Sequence, residues 1–600
     1  MYKAPVTEIG FALRHVAGLE AAMVEGLTGD LTPDLLDAIL DEAGRFASDE
    51  IAPLAAIGDR EGAVFRDGAV TMPLGWKDLY ARWTAGGWNG LTGPADHGGQ
   101  GLPTAVSAAV CEMWNGASMA FGIGPTLTIG AVDAIEAHGS VHLKSVYLDK
   151  LVSGEWMGTM NLTEPQAGSD LSALRTRAER RDDGTYRIFG QKIYITYGEH
   201  DLTDNIVHLV LARLPDAPAG VKGISLFLVP KFLVEGDGSL GLRNDVKCHA
   251  IEHKMGIHAS PTCTMIYGDG TGETGEVGAV GWLVGEENRG LACMFTMMNS
   301  ARLYVGIQGL GVAEAAFQKA LDYARERRQG RSTLLAKDRR EPASGEMVPI
   351  IEHPDVARML LTMKALVSSA RAIAYSCGHA LDQAKAARGR EEALRHWSER
   401  ANLLTPLAKA FPTDVGVEVA SLCIQVHGGM GYVEETGAAR LLRDARIAPI
   451  YEGTNGIQAI DLVSRKLPLS DGRTVAAYID ELEAIAEAVR GSNRPAFGET
   501  ADRLGEALGD LRDTTAYLLE HLRAGRLSEA LAGATAYLRL FSLCSGNAYL
   551  AKAALAAPDA DERAALARFM ADHLLPEVAA LKRQVMAGAS SLDAARAALN

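Results

Sequence analysis

The sequence has little of what several common protein classes require. Basic residues are in the minority, 59 Lys and Arg against 75 Asp and Glu, for a formal net charge of −16. That balance argues against a nucleic-acid partner, because phosphate binding wants clustered Lys and Arg. No run of about 18 apolar residues is available to span a bilayer, so no stable membrane insertion is expected. The start, Met1-Tyr2-Lys3-Ala4-Pro5, lacks the charged-then-apolar pattern of a secretion signal. The seven cysteines, Cys111, Cys248, Cys263, Cys293, Cys377, Cys423 and Cys544, are scattered. They form no C-x-x-C and no His spacing fit for zinc, which excludes a metal site and reads as reduced core cysteine in a cytoplasmic protein.

What is present is ordinary globular material, 48% hydrophobic and 22% charged over 600 residues. That length is too great for one core and implies three or four domains. Residues 1–157 are mostly helical in pattern, with Leu35, Leu36, Ile39 and Leu40 on one face, continued by Phe46 and Ile51. Pro53 and Gly58 end that run, and a Gly-rich loop follows from Gly90 to Leu102. Residues 158–290 change to short β-like runs, such as Tyr186–Phe189, Ile206–Leu211 and Ile224–Val229, separated by turn residues. A small antiparallel barrel or sandwich fits them. Residues 291–466 return to long helices, from Met294 to Tyr323, Pro354 to Lys385 and Glu391 to Ile424, with a polar insertion loop from Leu334 to Met347. Residues 467–600 add four amphipathic helices, near 473–489, 501–523, 527–552 and 560–586. Their apolar stripes suit a packing or dimer-supporting bundle.

Three stretches carry the chemistry. In Ile450-Tyr451-Glu452-Gly453-Thr454-Asn455-Gly456 a single carboxylate sits between an aromatic and a Gly-x-x-Gly turn. Apolar neighbours desolvate such a carboxyl and raise its pKa, as a base for a weakly acidic proton requires. Taken alone, the segment reads first as a helix start with Glu as a solvated first-turn residue. Upstream, Gln425-Val426-His427-Gly428-Gly429-Met430-Gly431 is a Gly-rich turn whose N–H groups suit a phosphate. Further back stand Thr163-Glu164-Pro165-Gln166-Ala167-Gly168-Ser169-Asp170 and Lys192-Ile193-Tyr194-Ile195-Thr196-Tyr197-Gly198. One G-x-G-x-x-G run, Gly270 to Gly275, follows a β-like segment. No helical pattern comes after it, so it is not read as a dinucleotide site.

In this order the motifs resemble those of the acyl-CoA dehydrogenase family of flavoproteins: T-E-P-x-A-G-S-D, K-x-(W/Y)-I-T-x-G, an Arg-rich helix end (Arg325 to Arg328), Q-x-x-G-G-x-G and Y-E-G-T. The resemblance covers roughly residues 90 to 465. Among the longer members the chain looks most like the bacterial 3-methylmercaptopropionyl-CoA dehydrogenase type. The resemblance implies a mainly α fold with a central β domain: a helical N-terminal domain, a β-barrel or sandwich and a four-helix bundle, here with an extra C-terminal helical domain. It implies FAD as cofactor, held between the β domain and helices, since no side chain accepts a hydride.

By the same resemblance Glu452 is the base that takes the α-proton of an acyl-CoA thioester, with Tyr451 and Gly453 beside the substrate. Its backbone N–H helps to hold the thioester oxygen. Thr163 and Thr196 match flavin contacts, Tyr194 an aromatic packed on the isoalloxazine, and Ser169 a contact of the CoA arm as well as the cofactor region. Gln425, Gly428 and Gly429 match a turn at the FAD pyrophosphate, commonly that of the neighbouring subunit. Arg327 and Gln329 match a basic helix end at the cofactor phosphates, Arg302 a substrate-side Arg, and Thr454 an adenine- or phosphate-side contact. Taken singly, Arg327 reads as a solvated helix C-terminus and Tyr194 as a core aromatic. The implied reaction forms a trans-2-enoyl-CoA and passes electrons to an electron-transfer flavoprotein, in a homodimer or dimer of dimers. Alternatives on the same scaffold are an acyl-CoA oxidase using O2 and a non-enzymatic nucleic-acid-binding relative.

Overall fold

A computed structural model of the chain describes residues 1–331 and 347–599, the side chains of 297–299 excepted. The insertion loop read from Leu334 to Met347 lies, but for Met347, outside the described residues. The chain forms two compact units. One comprises Met1–Ala47, Pro103–Ala117 and Arg302–Asn600; the other comprises Ser48–Leu102 and Ser118–Ala301.

The second unit is built on a sheet of eight strands: β1 (Met157–Asn161), β2 (Arg177–Arg180), β3 (Tyr186–Thr196), β4 (Ile206–Arg213), β5 (Ile224–Pro230), β6 (Val246–Ile251), β7 (Thr262–Tyr267) and β8 (Ala279–Val284). Their order is β6-β7-β3-β8-β5-β4-β1, and β2 pairs with both β3 and β4. The sheet thus closes on itself through β2. It is not purely antiparallel, because β1 runs parallel to β4 and β2 makes one parallel pair with it, Arg177 with Arg213. Strand β4 shows why the sheet buries both faces. Val207, Leu209 and Leu211 join a core with the helix Val141–Ser153, while Val210 and Ala212 join one with Tyr186, Ile188 and Phe227. This is the period-2 alternation of a strand with an apolar layer on each side.

The first unit is helical. In α1 (Pro33–Phe46), Thr32 caps the N-terminus by accepting the Leu35 N–H at 3.2 Å. The buried stripe runs through Leu36, Leu40 and Ala43. Leu35, expected on that face, is 43% exposed, because the helical advance carries i−1 away from an i, i+4, i+7 stripe. Nor does Gly58 end a helix: it lies inside Ala55–Glu61 of the second unit, where a Cβ would come 2.7 Å from the Trp76 ring.

Helix α2 (Thr104–His138) changes unit at Ser118, whose φ of −159° and ψ of 107° interrupt it. This helix is long and apolar enough to cross a membrane, and 89% of its most apolar window is buried inside the protein. Helix α3 (Gly290–Glu326) changes unit at Arg302. With α4 (Pro354–Ala386) and α5 (Glu391–His427) it forms the bundle that carries the site.

Small residues set the α3–α5 approach. A Cβ on Gly306 would fall 1.8 Å from the Ala408 carbonyl, and one on Gly309 2.5 Å from the Thr413 Cα. Pro412, inside α5, has no N–H to offer the carbonyl four residues before it, the same Ala408 carbonyl that faces Gly306. Three helices are also pinned by a buried charge cluster. Arg371 donates to Glu112 at 2.6 Å and Glu314 at 2.8 Å, and Tyr375 donates to Glu112 at 2.5 Å.

The C-terminal extension packs onto α4. Ala534–Ala556 is largely buried, and Gly546 lies against Ser369. Two of its expected helices are broken. Gly533 parts Leu527–Ala532 from Ala534–Ala556, at a point where a Cβ would meet the Val585 Cα at 2.5 Å. Asp561–His573 stops before Pro576 starts the next helix, as a proline restricts the residue before it.

Candidate active site

Glu452 sits at a turn between the Ile447–Tyr451 region and α6 (Asn455–Asp461). Its φ is +54° and that of Gly453 is +84°. A non-glycine residue held in the left-handed region is strained, and such strain clusters at functional sites. The solvated helix-start reading fails, because α6 begins at Asn455 and its cap is Thr454, whose hydroxyl accepts the Ile457 N–H at 3.1 Å. The residue is half-buried. Among the described residues its carboxylate accepts no hydrogen bond and its backbone N–H finds no acceptor. Burial raises its pKa, opposed by the charges of Lys409 and Arg302. A carboxyl of this kind is open to a ligand and has an increased proton affinity.

The neighbours hold the turn rather than the carboxylate. Tyr451 donates its hydroxyl to Gln308 on α3. Burial, then the Glu452 charge, keeps that phenol well above its ordinary value. The Gln458 side chain donates to the Gly453 carbonyl at 3.3 Å. Arg302 reaches Asp461 at 3.4 Å, and its Nε is buried without a partner. Lys409 on α5, which the motif reading passed over, donates to the Ala448 carbonyl at 2.9 Å and to Asn455 Oδ1 at 2.8 Å. Its signal was faint in the sequence: one Lys in the otherwise apolar run Pro406 to Phe411.

A second group lies in the β unit. Opposite β7, strand β3 pairs Ile195 with Cys263 and Lys192 with Met265, so Ile193 and Tyr194 share a single facing residue. This bulge, with φ of +59° at Tyr194, turns the side chain outward, as bulges beside active sites do. Tyr194 is 60% exposed and is not the core aromatic that its strand setting alone suggests. Thr163 and Thr196 are half-buried. The Thr163 carbonyl accepts the Ile193 N–H at 2.9 Å, which brings two separate motifs together. Ser169 is exposed on the following loop.

The partners of those motifs are internal. Lys192 lies 2.9 Å from Glu164 and donates also to the Leu162 carbonyl at 2.9 Å. Burial lowers the Lys192 ammonium to about 8, with Glu164 opposing. Burial raises the Glu164 carboxyl, but Lys192, the Thr176 hydroxyl and the Arg175 N–H outweigh it and bring it to about 2. The carboxylate is the better satisfied partner, because it collects these extra donors while the ammonium gains only one carbonyl.

A third group sits at two helix ends. Tyr323 on α3 and His427 on α5 stack at 4.2 Å between ring centroids. That contact brings the Arg327–Gln329 segment beside the Gln425–Gly429 turn. Arg327, Gln329, Gln425, Gly428 and Gly429 are all exposed. The Gln329 carbonyl accepts from His353 at 2.6 Å. The structure does not bring this group to Glu452, since from Lys409 to Gln425 α5 rises roughly 24 Å.

The Gly270–Gly275 run is accounted for within the protein. Asp245, fully buried, accepts from the N–H groups of Gly270 at 3.0 Å, Thr271 at 2.9 Å, Gly272 at 3.2 Å and Gly278 at 2.8 Å. The loop is an anion nest filled by the chain's own carboxylate.

Family models match almost the whole chain. They are the acyl-CoA dehydrogenase N-terminal domain (residues 34–155), middle domain (159–269) and C-terminal domain (288–347 and 339–467), with an acetyl-CoA dehydrogenase C-terminal-like domain at 477–595. The 3-methylmercaptopropionyl-CoA dehydrogenase of Ruegeria pomeroyi is 48% identical over 562 residues, 93% of this chain and 91% of that one. The chain belongs to the acyl-CoA dehydrogenase family. It is an oxidoreductase of that family, whose members depend on FAD.

Among solved structures, Caenorhabditis elegans ACDH-11 in complex with C11-CoA has a TM-score of 0.76, at 19% identity over 96% of this chain and 92% of that one. A structure described as the electron transferring flavoprotein of Acidaminococcus fermentans has a TM-score of 0.56, at 27% identity over 72% of this chain and 98% of that one. An exposed aromatic raised on a bulge, beside two half-buried threonines, fits the ring of the family's cofactor. The acyl-CoA dehydrogenase thus carries its Glu452 turn and its outward-facing tyrosine in different units, each held by contacts within its own unit.

Proposed function

We propose that this acyl-CoA dehydrogenase removes the α-proton of its acyl-CoA with Glu452, and that Tyr194, Thr163 and Thr196 hold the isoalloxazine of FAD. When bound, FAD supplies the hydride acceptor that no side chain provides. The observation that carries the reading is the state of Glu452: strained backbone, half-burial, raised proton affinity and no hydrogen-bond partner among the described residues. Its unpaired N–H is available to a thioester oxygen, and a donor there acidifies the α-proton. Arg302, held by Asp461, keeps a positive charge near the carboxylate. Lys409 adds a second.

For the substrate we infer a short acyl-CoA, with the thioether 3-methylmercaptopropionyl-CoA first among candidates. Its support is the 48% identity to the R. pomeroyi enzyme over nearly all of both chains. For the electron acceptor we infer an electron-transfer flavoprotein, supported by the likeness to the A. fermentans structure. The exposure of Gln425, Gly428 and Gly429, and the length of α5 between them and Lys409, support an FAD pyrophosphate of a neighbouring subunit at this turn, in a homodimer or dimer of dimers.

The test is a turnover screen of the holoenzyme with short to long acyl-CoAs and the thioether substrate, with ferricenium as acceptor. The reading expects highest kcat/KM on the thioether or a short straight chain, and no stoichiometric peroxide in air. Peroxide equal to substrate consumed, with no added acceptor, would assign the chain to the oxidases instead.

A further inference from the structure

Lys409 is fully buried on α5, and its two hydrogen bonds have a particular placement. Ala448 lies just before the Glu452 turn and Asn455 just after it, so one ammonium ties both arms of the turn to the helix. Asn455 is itself fixed. Its amide nitrogen donates to Asp414 at 2.7 Å and Thr413 at 2.9 Å, which turns its oxygen toward Lys409, with the Thr413 hydroxyl a longer 3.3 Å from that oxygen. A buried ammonium is costly to desolvate, and a neutral donor would serve two carbonyl oxygens equally well. What a neutral donor does not supply is charge beside Glu452.

Building on the assignment of Glu452 as the base, we propose that Lys409 is a positioning residue for it. The ammonium clamps the turn at both ends, and its charge sets how readily the carboxylate gives up its proton. The charged surroundings support this. Lys409 is affected by Asp414 on its own helix, by Glu452 on the turn and by Arg302 on α3. Asp414 faces the charges of Arg539 and Lys409, which favour its carboxylate, and of Glu418, which opposes it, and Asp461 with Arg465 and Lys466 faces Arg302. Burial lowers the ammonium to about 7, with Asp414 and Glu452 opposing.

The experiment compares Lys409→Met, Lys409→Arg and Glu452→Gln holoenzymes by the pH dependence of kcat/KM and by thermal unfolding. With the positive charge gone, the Glu452 carboxyl holds its proton to higher pH. In Lys409→Met the acidic limb of kcat/KM therefore moves up by about one unit, which is about tenfold lower activity on that limb, recovering as pH rises. Lys409→Arg keeps the limb in place. An unmoved limb in Lys409→Met, with only a lower unfolding temperature, would make Lys409 a purely structural residue and overturn the proposal. If Lys409→Met does not fold, Asp414→Asn takes its place. Removing the charge that sustains the ammonium should move the limb the same way, and an unmoved limb there counts equally against the proposal. Full activity in Glu452→Gln defeats the base assignment itself, whereas an inactive Glu452→Gln with an unmoved Lys409→Met limb defeats only the role of Lys409.

Discussion

The Lys192 ammonium stands 2.9 Å from the Glu164 carboxylate, with the two side chains 0% and 3% exposed. This pair welds the Thr163 loop to the strand that carries Tyr194 and Thr196. Two stretches that look like cofactor motifs are therefore held by their own charged residues, and the residues beside those charges face outward.

Breaking that pair one side at a time leaves a buried charge without its partner. Glu164→Gln and Lys192→Met should each destabilise the protein by about 3–5 kcal/mol, and the double variant Glu164→Gln/Lys192→Met by less than the sum. Denaturant unfolding of all three measures it, and strict additivity would show that the two charges are independent. The pH dependence has a definite sign. Glu164 is lowered from 4.5 to about 2 on folding, so its contribution is complete above pH 4.5 and fades as pH falls toward 2. Wild type should lose more stability than Glu164→Gln between those values.

Tyr194 combines exposure with a left-handed backbone. In Tyr194→Gly, relief of backbone strain and the added freedom of the unfolded chain oppose one another, so apoprotein stability should stay within about 1 kcal/mol of wild type. FAD retention through gel filtration should fall. Undiminished yellow colour in the variant would show that the ring does not pack on the cofactor.

Asp245 satisfies four backbone N–H groups of the 270–278 loop. Asp245→Ala should destabilise the protein by about 1–3 kcal/mol, because the buried Gly278 N–H loses its acceptor while those of the exposed Gly270 and Thr271 can meet water. Thermal unfolding measures the loss. An unchanged midpoint would mean that the loop re-solvates its donors and that the nest is incidental.

Some of this was legible in the sequence and some was not, for identifiable reasons. The Glu452 turn was legible because its determinants are local: a glycine at positive φ, apolar neighbours and a helix start within a few residues. The long helices followed from uninterrupted apolar spacing, and the same spacing concealed the break at Gly533, where the chain packs on Val585, and the one at Leu574, which Pro576 imposes. Lys409 and the Glu112–Arg371–Glu314 cluster escaped notice because each partner is distant in the chain. The Gly270 run misleads in isolation, since its occupant, Asp245, precedes it by two strands, β6 and β7. Tyr194 shows the limit from the other side, because its outward turn depends on a one-residue bulge that propensity does not register.

The most direct measurement is the turnover of Glu452→Gln holoenzyme on its best acyl-CoA, alongside its visible flavin spectrum and the wild-type pH profile. The amide keeps the shape of the side chain and loses its proton affinity, so kcat should fall by roughly 10²–10⁴-fold with the flavin absorbance intact. Wild-type kcat/KM should rise with pH through a carboxyl value lifted above its ordinary range by burial. Turnover within a few-fold of wild type in a fully flavinated Glu452→Gln would contradict the account.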